Sequence, residues 1–459
     1  MSQLDTLVPR AMEGTAGAYK RVGVAFGSRF FLLLLLGLVW IAPAFIDPHF
    51  AYAMLAWDIL VALAWITDLA RLPQPSLLKV KRSWHSPTAL SVTSNIEITL
   101  TNESGKTIHA TILDSVPQQL RSAPPQLEIS AAAHSEASNT YTIRPLQRGE
   151  AKFADAYLRY QGILRIAERW AKVSLEQRVQ VYPDLEQAKK HSVYLVRSRQ
   201  IELEKRHARI RGIGREFESL REYREGDEYR DICWTAAARR GKLVTRIYQV
   251  ERSQTIWIVL DSGRLMRARI GELSKLDYAV NAALSLAQVA LYAGDRVGLM
   301  AYGRGVRQRV PAARGSAHLR QLMEQLANVH EETSEADHLQ TASRLLTDQK
   351  RRSLVVWITD LAETAMTPEV IEAASQMMPR HLVLFMVIGQ PDLGDLAAQE
   401  PKGEEHMYQV AAAQEMVHRR ELLLARMRER GALALEVSSG SLAPVLVNSY
   451  LQVKERNQL

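Results

Sequence analysis

Cysteine is almost missing from this chain of 459 residues, Cys233 being the only one. No intramolecular disulfide can form, and paired-thiol redox sites and cysteine-rich zinc sites are excluded. A lone thiol fits a reducing compartment. A strong charge of one sign is also lacking: 58 basic residues stand against 50 acidic ones, a formal net charge of +8. Part of that excess flanks apolar segments, where basic residues are expected anyway. Charge therefore gives nucleic acid no support as a partner. The chain has no Gly-x-x-x-x-Gly-Lys-Ser/Thr phosphate loop, no His-Glu-x-x-His and no Gly-x-Ser-x-Gly elbow. No catalytic residue is identified, and no enzyme is indicated by motifs.

Long apolar runs are present, but only near the start. Residues 30–46 carry no charge, and residues 50–66 are interrupted only by Asp58. Each is about 17 residues, the short end of what spans a bilayer. Asp47-Pro48-His49 between them is turn chemistry. Arg10, Lys20, Arg21 and Arg29 precede the first run; Arg71, Lys79, Lys81 and Arg82 follow the second, and the turn has no Lys or Arg. The positive-inside rule then predicts a two-span hairpin over 1–72, multi-pass in the cell (inner) membrane, with both termini cytoplasmic. Ala42-Pro43-Ala44 resembles a signal-peptidase site, but the long N-terminal segment and the second apolar run argue against cleavage. Asp58, an intramembrane carboxylate, is a functional candidate by position. Its plainer role is a hydrogen-bonded side chain facing the partner helix or a second copy of the protein, which makes a homo-oligomer conceivable.

Residues 73–185 alternate with period two, as half-buried strands do. Leu90–Thr101, Thr107–Leu113, Ser138–Ile143, Lys152–Tyr160 and Ala171–Val181 read as short strands separated by turns. Such spacing predicts a small β-sandwich-like domain.

Residues 186–253 form a linking segment whose second half mixes both charge signs with Phe217, Leu220, Tyr223, Ile232 and Trp234. Gly226-Asp227 supplies a turn. Gly214, Glu216-Phe217, Leu220-Arg221, Tyr223, Gly226-Asp227, Arg230, Ile232, Trp234 and Ala238-Arg239 stand in the order of a long motif. On these residues the chain closely resembles the domain-of-unknown-function 58 family, whose members look like von Willebrand A-type domains with an extra N-terminal part. Cys233 stands where the family has an acid before the Trp. Glu216, Phe217, Arg221, Tyr223, Gly226, Asp227, Arg230, Trp234 and Arg239 are candidates for either a docking surface or an ion-paired latch between domains. Interleaved charge is more often structural or solvated.

From residue 254 to 459, strands and helices alternate, which predicts a doubly wound, mostly parallel sheet with helices on both faces. Apolar runs 255–260 and 353–359 end at Asp261 and Asp360. Both aspartates fall at the carboxyl edge, where such sheets bind ligands. In A-type domains, the resemblance implies a divalent cation there, held by Asp-x-Ser-x-Ser, a distant Thr and a second Asp. Here Gly263 and Leu265 replace the two serines, and Ser334-Glu335-Ala336-Asp337 offers no matching Thr. A degenerate, vacant metal site is expected at Asp261 and Asp360, with no cofactor; Mg²⁺ would be the natural ion for such oxygen ligands. Arg264 is a candidate to pair with an aspartate in the ion's place.

The resemblance implies a membrane-anchored cytoplasmic adaptor or scaffold, partner of a MoxR-type AAA+ ATPase in the assembly or maturation of other complexes, with its client unspecified. A metal-dependent protein-ligand receptor and an uncharacterised enzyme remain the alternatives.

Overall fold

A computed structural model of the chain describes residues 7–19, 23–184, 216–224, 227, 229–249, 254–361 and 369–456. The chain is mixed α/β and divides into two compact units, Met1–Asp184 and Leu185–Leu459.

The first unit is strand-rich, with a pair of apolar helices inserted near its start. The strands are β1 (Met12–Ala18), β2 (Val24–Phe26), β3 (Leu78–Trp84), β4 (Ser94–Asn102), β5 (Ile108–Asp114) and β6 (Gln126–Ala131). They continue with β7 (Ser135–Ile143), β8 (Gly149–Phe153), β9 (Ala156–Gln161), β10 (Ala167–Val173) and β11 (Gln177–Val181). The strands run β6-β5-β9-β10-β1-β3-β4-β7, with β2 added to β10 and β8 paired with β11. β1 joins two halves: Met12 to Thr15 pair with β3, and Ala16 to Ala18 pair with β10. Alternate side chains along a strand point to opposite faces. Accordingly Ile96, Ile98, Leu100, Ile108, Ile112, Leu158 and Tyr160 bury into one core. Inside that core Arg82 is fully buried, bonded to both carboxylate oxygens of Asp114, while Tyr141 donates to Asp114 Oδ2 at 2.6 Å. A buried ion pair persists only when its remaining donors are satisfied, and the Leu175 carbonyl accepts another Arg82 bond at 2.7 Å.

The apolar pair is less regular than its sequence suggests. α1 (Ser28–Gly37) gives way to a 3₁₀ turn at Leu38–Trp40 and then to the short α2 (Ile41–Ala44). α3 (His49–Arg71) runs unbroken. At 1.5 Å per residue, α3 is about 34 Å long, enough for a hydrocarbon core. Among the described residues, α3 is the one helix long and apolar enough to cross a membrane; Ser28–Ala44 is shorter. The expectation of two full spans is thus met by one, because the helical stretch ahead of the turn runs only from Ser28 to Ala44, with a 3₁₀ turn at Leu38–Trp40 inside it. The two helices touch closely. A side chain at Gly37 would meet the Trp57 ring at 2.7 Å, and Trp57 Nε1 donates to the Leu33 carbonyl at 2.9 Å. Asp58 faces this same junction, its Oδ1 beside Gly37.

The second unit holds β12 (Glu216–Glu222) paired with β13 (Val244–Gln249), with α4 (Trp234–Arg240) between them. Beyond lie β14 (Thr255–Asp261), the small hairpin β15 (Arg269–Ile270) and β16 (Leu273–Ser274), α5 (Lys275–Tyr292), β17 (Arg296–Tyr302) and β18 (Val306–Ala313). There follow α6 (Ser316–Ala327), α7 (His338–Asp348), β19 (Leu354–Thr359), α8 (Glu369–Met377), β20 (Leu382–Ile388), α9 (Pro391–Ala397), α10 (Glu404–Glu429), β21 (Leu433–Val437) and α11 (Leu442–Glu455). The main sheet is ordered β18-β17-β14-β19-β20-β21, parallel except for the edge strand β18. Continuous apolar strands such as Leu354–Thr359 are buried on both faces, as parallel strands must be. Trp257, Val259, Val355, Trp357, Val383 and Phe385 pack with α7, α8 and α10. The intervening residues are buried on the other face, where α5 packs against β14, β17, α6 and α11.

Candidate functional site

Three adjacent strand ends define the carboxyl edge of the main sheet. β14 ends at Asp261, β19 at Thr359, just before Asp360, and β17 at Tyr302. Asp261 and Asp360 are therefore brought together as their sequence positions predict. Both are buried, 3% and 2% exposed.

Every oxygen of the two carboxylates is engaged from within the chain. Asp261 Oδ1 accepts from the Gly263 backbone N–H at 2.7 Å, and Oδ2 from the Thr359 hydroxyl at 2.6 Å. Asp360 Oδ2 accepts from Lys275 Nζ at 2.6 Å, and Oδ1 from Arg420 at 3.3 Å. Arg420 extends from α10, is 3% exposed and also pairs with Glu436 on β21 at 2.6 Å. The hydroxyl of Ser262 donates to the Tyr302 carbonyl at 2.8 Å.

Lys275 is placed by local rules. Ser274 and Asp277 form a reciprocal capping box that fixes the start of α5, and Lys275 is the first residue inside it. The Lys275 backbone N–H donates to the Ala268 carbonyl at 2.8 Å. A cation at a helix N-terminus is disfavoured by the macrodipole, and burial adds a desolvation cost. The Asp360 carboxylate offsets both. The cation expected beside the aspartates is there, but it is Lys275; Arg264 forms an exposed ion pair with Glu335 at 3.5 Å.

The surrounding loops are tight. The segment with Ser334, Glu335, Ala336 and Asp337 does reach the edge: Arg264 N–H donates to the Ser334 carbonyl at 2.9 Å. A Cβ on Gly263 would meet the Ala336 backbone nitrogen at 3.0 Å and Asp261 Oδ1 at 3.1 Å, so serine has little room there. Glu332 accepts from Arg307 at 2.6 Å and from Ser334 at 3.1 Å, and its carboxyl is held below the usual range, chiefly by Arg307. Burial, the largest influence, pushes the Asp261 carboxyl up to about 6; the bonds from Thr359 and Gly263 oppose it.

These donors do not fit a divalent cation. A hard ion needs several free oxygen lone pairs, and here ammonium, guanidinium, hydroxyl and amide donors occupy them. Among the described residues, no group of three or more His, Cys, Asp or Glu could hold a metal ion.

The linking-segment residues form a second cluster. Gly226 lies outside the described residues. Glu216 and Phe217 lie on β12, paired with Gln249 and Tyr248. Asp227 is the hub: Oδ2 accepts from the Arg224 backbone N–H at 2.9 Å and the Thr245 hydroxyl at 3.3 Å, and Oδ1 from Arg221 at 2.6 Å. These bonds, the Arg224 amide foremost, hold its carboxyl below the usual range. Cys233 is the residue preceding α4, at the N-cap, and no side-chain cap bond is made. Its thiol contacts the Thr235 hydroxyl at 3.4 Å, and its pKa falls to about 7, through Thr235 first and then Arg246. Ile232 and Val244 are buried, whereas Trp234 is 65% and Tyr229 78% exposed. Tyr229 stacks with Tyr223 at a centroid distance of 6.4 Å. Arg230 and Arg239 are also exposed.

Residues 219–428 match the family described as protein of unknown function DUF58. The uncharacterized protein Rv1480 of Mycobacterium tuberculosis is 26% identical over 203 residues, covering 42% of this chain and 62% of that protein. The uncharacterized protein YeaD of Bacillus subtilis is 24% identical over 199 residues, covering 42% of this chain and 45% of its own length. The chain thus spans less than two thirds of these relatives. An aerotolerance-related membrane protein from Bacteroides fragilis superimposes with a TM-score of 0.30 and 16% identity, over 44% of this chain and 99% of that one. The conserved hypothetical protein BatB from Bacteroides thetaiotaomicron gives 0.30 and 15%, over 44% and 100%.

Proposed function

From the premise that residues 219–428 are a region of the DUF58 family, we propose that the chain is a membrane-anchored adaptor that docks a partner protein and performs no chemistry of its own. The observation carrying this reading is the contrast between its two clusters. Internal donors consume the carboxyl edge of the sheet, while Tyr229 and Trp234 stand exposed on a segment pinned by Asp227. Rigid exposed aromatics are favoured anchors for protein partners.

We read the second unit as von Willebrand A-like. Its support is the parallel sheet with Asp261 and Asp360 at adjacent strand ends. The partner implied by the family resemblance is a MoxR-type AAA+ ATPase, which would supply the energy while this chain supplies location. For the anchor we propose a hairpin that enters the bilayer and returns. β1 precedes the apolar helices and β3 follows them, yet the two pair directly. A single crossing would put these strands on opposite sides. The flanking basic residues support a cytoplasmic side for the folded units in this reading.

Affinity capture from detergent-solubilised membranes, with nucleotide-bound complexes preserved, tests the docking reading. An AAA+ ATPase should be recovered with the wild-type chain and lost with a Tyr229→Ala, Trp234→Ala double variant. Recovery of none removes the reading. Tight Mg²⁺ or Mn²⁺ binding in calorimetry, abolished by Asp261→Ala, would instead favour the metal-dependent receptor.

A further inference from the structure

The opposite, amino-terminal edge of the main sheet carries a cavity of about 750 Å³. It is formed where β14, β17 and β19 begin and where β18 ends, bounded on one side by Asp348, the last residue of α7, and by residues 349–353. Arg296, Arg309, Lys350, Arg351 and Arg352 line it, and the only carboxylate among the lining residues is Asp348.

That carboxylate is already neutralised. Asp348 lies 2.7 Å from Arg309 and 3.5 Å from Arg344. Asp295, beside Arg296 in sequence, is fully buried and paired with Lys454 at 2.7 Å. Among the described residues, no carboxylate pairs with Arg296, Lys350 or Arg351. The Arg296 guanidinium is turned by a 3.0 Å bond to the Ala312 carbonyl, which leaves other N–H groups available at the rim. The Lys350–Arg351 turn is tied down, since the Gln349 side chain donates to the Arg351 carbonyl at 2.9 Å and accepts from Trp257 Nε1 at 3.2 Å. Like charges gathered on a solvated concave surface repel one another and raise the local anion concentration. A cavity of this size takes a small molecule rather than a protein segment.

We propose that this cavity binds an anionic phosphate ligand, with Arg296, Lys350 and Arg351 as its anion contacts. Guanidinium groups match phosphate oxygens two bonds at a time. The phosphates could be supplied by a soluble polyphosphate compound or by a phospholipid headgroup, and both offer the same oxyanion chemistry. This site is remote from Asp261 and Asp360, which lie at the other end of the strands.

The test is calorimetric titration of the full chain in neutral detergent with two probes, tripolyphosphate and the single phosphodiester glycerophosphoglycerol. Saturable binding of tripolyphosphate that weakens with added salt is expected. A Lys350→Glu, Arg351→Glu double variant, altered only at exposed positions, should bind at least about tenfold more weakly, the loss of one charge-assisted bond or more. Lys402→Glu, an exposed change outside the cavity, should bind as the wild type does. Comparable binding of glycerophosphoglycerol assigns the site to lipid headgroups; preference for tripolyphosphate assigns it to a soluble ligand. Absence of saturable binding by both probes overturns the proposal, as does equal binding by the double variant and the wild type.

Discussion

Lys275 Nζ lies 2.6 Å from Asp360 Oδ2, and both side chains are 1% exposed. Removing one member of such a pair leaves the other charged and unsolvated, a loss of about 3–5 kcal/mol. Lys275→Met is therefore expected to lower the denaturation midpoint of the second unit strongly. Adding Asp360→Asn removes the carboxylate, which Arg420 at 3.3 Å then holds without Lys275, and should recover part of that stability. Urea titration of the single and double variants measures both effects. A small loss in Lys275→Met would show that the pair does not hold this edge together.

The Asp261 carboxyl, raised to about 6 chiefly by burial, gives a pH signature. An unfolded aspartate titrates near 3.9. Between about pH 4 and pH 6 the folded chain keeps the proton that the unfolded chain has lost. Stability thus falls as pH rises through this window and levels off above it. The size of the fall is on the order of 3 kcal/mol for a two-unit shift in a fully buried group. Asp261→Asn can still accept from Gly263 and bond Thr359, and it has no charge to desolvate. Its melting temperature should exceed that of the wild type at pH 7 and converge with it near pH 4. A constant difference between the two across that range would contradict the burial argument.

How much of this was legible in the sequence depends on the distance over which each bond acts. The parallel sheet was, because runs such as Thr255–Asp261 and Leu354–Thr359 have the apolar continuity that burial on both faces demands. The convergence of Asp261 and Asp360 followed from the strand ends alone. Their partners did not. Lys275 reaches Asp360 across 85 positions and Arg420 reaches it across 60, and neither stands out locally. The capping box Ser274–Asp277 was the one available signal, since it places a lysine in the first turn of a helix that should avoid it. β1 was missed because Met12–Ala18 contains two glycines and little alternation; only its pairing with β3 and β10 makes it a strand. The apolar run over 30–46 was visible, but its 3₁₀ break at Leu38–Trp40 leaves no mark in hydropathy.

The apolar helix is welded to the first unit at Asp68. This residue, 3% exposed, accepts from the backbone N–H groups of Ile166 and Ala167 at 3.1 Å and 2.9 Å. A carboxylate in the last turn of a helix opposes the macrodipole, so these two bonds account for its presence. Asp68→Ala would strand two buried donors, at about 1–3 kcal/mol each. The variant should become susceptible to proteolysis between Gly162 and Ala167 at protease levels that spare the wild type. Equal cleavage of both proteins would mean that the helix is held by Phe30, Val61 and Ile166 packing alone.

Cys233 occupies the N-cap of α4, where the family resemblance expects an acid, and it makes no cap bond. Carboxylates cap well because they accept from the first free backbone N–H groups and face the positive end of the helix dipole. A thiol does this poorly, a thiolate better. Since the Cys233 pKa is lowered to about 7, first by Thr235 and then by Arg246, the side chain gains anionic character just above neutrality. Cys233→Asp should therefore raise the melting temperature of the second unit at pH 6, by about 2 °C for a gain typical of a restored cap. The advantage should shrink at pH 8.5, where the wild-type thiol has ionised and caps the same amides. Cys233→Ser, which accepts without charge, should fall between them and show no such pH dependence. If the Asp variant and the wild type differ equally at both pH values, the thiol is not acting as a cap, and its proximity to Thr235 is packing alone.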